Sequence, residues 1–206
     1  MSDKLTLYTN PMSRGRIARW MLEETGADYE TKILKFGEGS QSADFLAINP
    51  MGKVPAITHG DKVVTECAAI CAYLAEAFPQ AGLAPTSDER ADYYRWLFFA
   101  AGPVEAAVVN RSLGVEIPDE KAGMVGYGNF ERTRNVLISA IADPPIVRGD
   151  RFTAADVYVG SQIGWGLQFG SIPPSPELTA YSERVYSREA FKRASALDDA
   201  AIAAAS

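Results

Sequence analysis

Glu66 and Cys67 stand side by side where a helix should begin, inside the stretch AINPMGKVPAITHGDKVVTECAAICAYLAEAFP from 47 to 79. The first turn of a helix leaves its N–H groups unpaired at the positive end of the dipole, which favours a carboxylate there. Just upstream, Lys53-Val54-Pro55 puts Val54 directly before a proline, where the backbone is held extended. Such a segment can pair with the backbone of an extended ligand as an added strand. Cys67 and Cys71 fall on similar faces of one helix. A disulfide between them would be strained in a regular helix, and two thiols with a distant His59 do not make a four-ligand zinc set, so no metal is expected. Cys71 reads as a small buried apolar residue. Cys67, at the helix start, is the cysteine with a chemical reading open to it, provided its thiol is exposed and acidic.

Composition narrows the classes of function. The chain has 206 residues, 47% of them hydrophobic, enough for one large domain or two small ones with a real core. Its net charge of −6 comes from interspersed acidic and basic residues, with no basic run to follow a phosphate backbone. Neither nucleic acid nor an anionic membrane surface is expected as a partner. The N-terminal MSDKLTLYTN has no long apolar core behind a positive region, and no uncharged run is long enough to span a bilayer. The sequence reads as cytoplasmic.

The elements that must position these residues follow from periodicity. LTLYT (Leu5 to Thr9) is rich in β-formers and stops at Asn10-Pro11. SRGRIARWMLEETG repeats apolar residues at helical spacing, with Ser13 to cap its start and Gly26 to stop it. DYETKIL alternates as a second strand, ADFLAI fits one or two helical turns, and 54–58 and 62–64 form strands around a turn at His59-Gly60-Asp61. A helix to Phe78 closes the order β-α-β-α-β-β-α, with a parallel right-handed pair and an antiparallel hairpin. This is a thioredoxin-like α/β layout. PQAGLAPTSDER reads as a linker, and from about Asp88 onward only helical candidates remain. The expected domains are 1–80, thioredoxin-like, and 87–206, all-helical.

Over essentially its whole length the chain resembles the cytosolic glutathione S-transferases, of the bacterial type. The resemblance is carried by NPMGKVPAI followed by TECAAICAYL, where the family has an N-P-x-G-K-V-P segment and then an acidic residue and usually Ser at a helix N-terminus. It implies reduced glutathione as co-substrate, a cis bond before Pro55, and pairing of the ligand's cysteinyl backbone with Val54. It also implies that Glu66 takes the γ-glutamyl ammonium while the Cys67 backbone N–H donates to its carboxylate. Cys67 replaces the usual Ser, so carboxylate binding rests more on the backbone. Lys53 reads either as a solvated loop charge or as a contact for the glycyl carboxylate. Gln41 sits where many relatives place a Lys.

Catalysis in this family lowers the pKa of the ligand thiol, and the group responsible follows the first strand, where this chain has YTNPMSRG with Tyr8, Thr9, Asn10 and Ser13. Ser13 is the first choice, because its hydroxyl can donate to a thiolate beside a helix start. Asn10 is the second, through its amide N–H. The alternative for Ser13 is a plain N-cap. Arg14, Arg16 and Arg19 read as a charged helix face, with an approach of Arg14 to the ligand as the lesser alternative, and TAAD at 153–156 resembles the family's capping segment, a folding element.

The electrophile is expected against Tyr94, Phe98, Phe99, Val104, Val108, Trp165 and Phe169, with the Gly102-Pro103 kink widening the cleft. Aromatics at helical spacing are as readily core. The reading that results is a homodimeric glutathione transferase acting on small hydrophobic electrophiles, in detoxification. Two alternatives remain: a glutathione-dependent thiol-disulfide or peroxide reductase using Cys67, and a non-catalytic scaffold of the same fold.

Overall fold

The structure, a computed structural model, describes residues 4–142 and 151–205. The chain divides into two compact units, one formed by residues up to Ala84 together with Ser187 onward, the other by Pro85–Tyr186.

In the first unit four strands lie in the order β2-β1-β3-β4. β1 (Leu5–Thr9) is buried along its whole length, as its continuous apolar character requires of a central strand. It pairs in parallel with β2 (Glu30–Ile33), Thr9 opposite Ile33, and antiparallel with β3 (Ala56–His59), Tyr8 opposite Ala56. β3 then pairs antiparallel with β4 (Lys62–Thr65) across the turn that Gly60 closes with a positive φ. β3 starts at Ala56 rather than Val54, because Pro55 has no N–H to give a ladder. β2 is shorter than its sequence pattern, and all four of its residues are exposed on the sheet's edge.

Two helices cover the sheet. α1 (Gly15–Thr25) ends on Gly26, whose left-handed conformation lets its N–H reach the carbonyl of Leu22. α3 (Cys67–Ala77) packs against α1, and the two bury Ile17, Trp20, Met21, Leu22, Ile70 and Leu74 against Leu7 and Ile57. The short α2 (Ala43–Leu46) is capped by Ser42, whose hydroxyl accepts from the Phe45 N–H, and Phe45 joins Tyr8 and Ala56 in a second cluster. α9 (Glu189–Ala205), which the sequence groups with the helical half, packs instead on α1. Phe191 meets Trp20 edge-on at 5.0 Å, and Arg188 grips the Glu24 carboxylate with two bonds of 2.7 Å.

The second unit is helical. α4 (Arg90–Phe99) runs through a five-residue π-helical turn, Ala100–Val104, into α5 (Glu105–Ser112). Pro103 lies in that turn, where the wider hydrogen-bond spacing absorbs its missing N–H without ending the helix. α6 (Phe130–Ile141) starts later than its apolar pattern, because Asn129 caps it by accepting from the Arg132 N–H. α7 (Ala154–Gln168) is buried on most sides. Its carboxylate cap, Asp156, accepts from both the N–H and the hydroxyl of Thr153, at 2.9 and 3.1 Å, and Tyr181 of α8 (Pro176–Tyr186) donates to the other oxygen at 3.0 Å. Burial pushes the Asp156 carboxyl up, against these donors. Among the described residues no helix is long and apolar enough to cross a membrane.

Candidate active site

The loop from β1 to α1 is built by its own polar side chains. Asn10 turns its amide inward at both ends: Nδ2 donates to the Leu34 carbonyl at 2.8 Å and Oδ1 accepts from the Met12 N–H at 2.9 Å. Ser13 Oγ donates to the Asn10 carbonyl at 2.7 Å and accepts from the Gly15 N–H at 2.9 Å. This is a local turn of the kind Ser and Asn offer ahead of a helix. Tyr8 is packed at 5.7 Å from the Phe45 ring, which leaves it to the core. Thr9 is fully buried, and its hydroxyl has no hydrogen-bond partner.

A second loop stands opposite. Buried Asn49 folds the NPMGK segment by donating to the Lys53 carbonyl at 2.8 Å and accepting from the Met51 N–H at 3.1 Å. Gly52 takes a φ of 61°, and a side chain there would run into the Gln41 amide. Gln41 Nε2 makes a long contact of 3.4 Å to the Gly52 carbonyl. The Val54–Pro55 peptide bond is cis, as the family resemblance implies.

Between these loops lies a cavity of about 460 Å³, lined by Met12, Ser13, Arg14, Phe36, Gly37, Ser40, Gln41, Gly52, Lys53 and Val54. Its lining carries two cations, Arg14 and Lys53, and no carboxylate, so it is suited to an anionic ligand. Four of the residues singled out from sequence, Ser13, Gln41, Lys53 and Val54, therefore share one cavity. Asn10, Pro55, Glu66 and Cys67 stand outside its lining. Sequence reasoning did not single out Met12, Phe36, Gly37 and Ser40, and it set Arg14 first among surface charges, with an approach to the ligand as the lesser reading. For Arg14 the available signal was its position next to Ser13.

Glu66 precedes α3 with φ 64° and ψ 120°, a conformation that side-chain-bearing residues rarely hold. Its side chain is exposed at the start of α3, where a helix offers first-turn N–H groups that have no partner within the helix itself. Cys67 is buried, and its thiol contacts the carbonyl of Arg14 at 3.7 Å, which joins the start of α3 to the start of α1. Burial, then the neighbouring Cys67, pushes the Cys71 thiol well above its ordinary range. His59 shares a hydrogen bond of 2.8 Å with Tyr73 and stacks on Phe78. No group of described residues could hold a metal ion.

In the second unit Phe98 is exposed on α4 and lies 6.3 Å from Tyr94, Phe99 sits edge-on to Trp96, and Trp165 is half-buried on α7. Val104 is part of that unit's core.

Comparison with known proteins points to one family. Residues 3–76 fit the family model for the glutathione S-transferase N-terminal domain. Glutathione S-transferase Z1 of Arabidopsis thaliana is 30% identical over 207 residues, covering 93% of this chain and 91% of that protein. A solved glutathione transferase from Methylococcus capsulatus is 30% identical and superposes with a TM-score of 0.76, covering 95% of this chain and 98% of the other. A sphingomonad glutathione S-transferase, solved with glutathione, is 27% identical with a TM-score of 0.74, covering 94% and 98%. With a relative at this level of identity spanning nearly the full length of both proteins, the chain belongs to the glutathione S-transferase family.

Proposed function

We propose that the chain is a glutathione transferase: it binds reduced glutathione in the first unit and adds its thiolate to a small hydrophobic electrophile. The observation that carries this reading is the single cavity shared by Ser13, Arg14, Gln41, Lys53 and Val54. Glutathione fits its chemistry, since the tripeptide is an anion with an extended backbone. Val54 offers its main chain to the cysteinyl unit, Lys53 and Arg14 offer charge to a carboxylate, and Gln41 offers an amide. The γ-glutamyl end is assigned to Glu66 and the first turn of α3. The solved sphingomonad relative with glutathione bound supports the same ligand.

Ser13 then acts on the sulfur. Its hydroxyl leaves the Asn10 carbonyl and donates to the ligand thiolate, so the charged form is favoured and the thiol loses its proton at lower pH. The thiol proton passes to solvent, and the sulfur lone pair forms the new C–S bond as the electrophile's π pair, or its bond to a leaving group, takes up the displaced electrons. Asn10 shapes the loop in this scheme, because both ends of its amide are already bonded to backbone. Phe98, Phe99 and Trp165 of the helical region are assigned to the electrophile. A cytoplasmic homodimer belongs to the same proposal, on the strength of the family.

A reductase working through Cys67 would need an exposed, nucleophilic thiol. Cys67 is only 8% exposed, and its sulfur faces a backbone carbonyl, which favours the transferase. The deciding experiment is a glutathione titration that follows the ultraviolet absorbance of the bound thiolate as pH is varied. Saturable binding with a lowered thiol pKa is the expected result. Binding with an ordinary thiol pKa would point to a carrier or redox role, and no binding to a scaffold.

A further inference from the structure

One buried polar group in the first unit has no structural employment. Thr9 closes β1, is fully inaccessible to solvent, and makes no hydrogen bond through Oγ1. A buried hydroxyl without a partner is disfavoured, and Val would fill the same volume without it. Its surroundings are specific. A Cβ built on Gly15 would overlap Thr9 Oγ1 and stand 3.0 Å from Ser13 Oγ, so the two hydroxyls face one gap that only the absence of a side chain at Gly15 leaves open. Ser13 lines the cavity, whereas Thr9 is buried and outside its lining.

We propose that Thr9 is a positioning residue for Ser13, its hydroxyl donating to Ser13 Oγ once Ser13 has turned its own proton from the Asn10 carbonyl to the ligand sulfur. This rests on the function proposed above and goes one residue deeper. In the structure Ser13 Oγ already accepts from the Gly15 N–H, while its proton goes to the Asn10 carbonyl. Ser13 Oγ has two lone pairs; the Gly15 N–H takes one, and as the Ser13 hydroxyl turns to sulfur the other is presented to Thr9, whose proton has no other acceptor. Two donors on Ser13 Oγ polarise its O–H and make it a stronger donor to a thiolate. No proton leaves Thr9, and no bond to it is made or broken beyond the hydrogen bond.

The test measures the apparent pKa of enzyme-bound glutathione by ultraviolet absorbance for the full chain and for Thr9→Val, Thr9→Ala, Thr9→Ser and Ser13→Ala, with each Thr9 change also made in the Ser13→Ala background. The expected result is a rise of roughly half a pH unit or more in both Thr9→Val and Thr9→Ala, with glutathione affinity held. Thr9→Ser should restore the original value, and the Thr9 changes should have no further effect once Ser13 is gone. Normal thiol acidity in Thr9→Val beside a clear rise in Ser13→Ala would overturn the Thr9 role and leave the Ser13 reading standing. A Thr9→Ser variant that behaves like Thr9→Val, or an equal shift without Ser13, would show a packing effect and overturn it too. If Ser13→Ala itself leaves the thiol unchanged, the underlying reading falls and takes this one with it.

Discussion

The Cys67 thiol lies 3.7 Å from the carbonyl oxygen of Arg14, so the N-terminus of α3 is tied directly to the residue that follows Ser13. The two helix starts that the ligand is proposed to use are thereby in direct contact. Replacing Cys67 by Ser keeps a hydrogen-bond donor there and should leave conjugating activity and glutathione affinity largely in place. Loss of all activity in Cys67→Ser, measured against a disulfide and against an electrophile in parallel, would instead mark the thiol as a nucleophile.

Ser13→Ala should lower turnover by roughly a hundredfold, the effect of removing one donor aimed at a developing or bound anion, while glutathione affinity changes little. Asn10→Ala should act differently, destabilising the loop that Asn10 holds through Leu34 and Met12. Steady-state kinetics beside thermal melts separates the two: Ser13→Ala also loses two loop hydrogen bonds, but its loss of turnover should persist at temperatures where it is fully folded, whereas Asn10→Ala should regain turnover where its fold is intact.

Glu66 combines a backbone at φ 64° with the carboxylate proposed to take the γ-glutamyl end, so stability and binding should part company there. Glu66→Gly relieves a φ of 64° and should stabilise the fold by about 1 kcal/mol while weakening glutathione binding. Glu66→Ala should weaken binding without that gain. Calorimetric titration and chemical denaturation of the two variants check both parts.

α9 is fastened to α1 by a buried ion pair, Arg19 to Asp198 at 2.9 Å, in which both side chains are at least 95% inaccessible. Arg19 also reaches Tyr29 and Thr31 at 3.3 Å, whereas Asp198 Oδ2 has no partner. Asp198→Ala strands a buried guanidinium and should cost about 3 kcal/mol. The double change Arg19→Met with Asp198→Leu should recover most of that loss, as denaturation midpoints will show.

In the second unit Arg151 grips the Glu89 carboxylate with bonds of 2.6 and 3.2 Å, and the Thr86 N–H adds a third at 2.7 Å. Arg151 first, then Thr86, holds the Glu89 pKa down to about 2 from an ordinary 4.5. The unfolded chain takes the proton more readily, so the stabilisation is complete above pH 4.5 and is lost as pH falls through 2. The melting-temperature gap between the natural chain and Arg151→Gln should be steady near neutral pH and close over that window.

Local rules were enough for the order of elements in the first unit. β1 reads from its β-formers and the Asn10-Pro11 stop, and the end of α1 from Gly26, because each depends on neighbours within a few residues. The lining of the cavity was legible where residue type and backbone demand coincide, at Ser13, Gln41, Lys53 and Val54. Phe36, Gly37 and Ser40 were not, and Arg14 was read first as a surface charge, since a loop residue's exposure to a cavity depends on the loop facing it.

What the sequence determined by itself was therefore the two-part order of strands and helices, the family through NPMGKVP and the Glu66-Cys67 pair, and the short list around Ser13. Only the tertiary structure decided that α9 returns to pack on α1, because its apolar face and its Arg19–Asp198 pair are matched by residues more than 150 positions away. The same holds for the buried Thr9 hydroxyl facing Ser13 across Gly15 and for the Cys67 thiol seated on Arg14. Burial and hydrogen bonding between distant segments are properties of packing, and no local pattern encodes them.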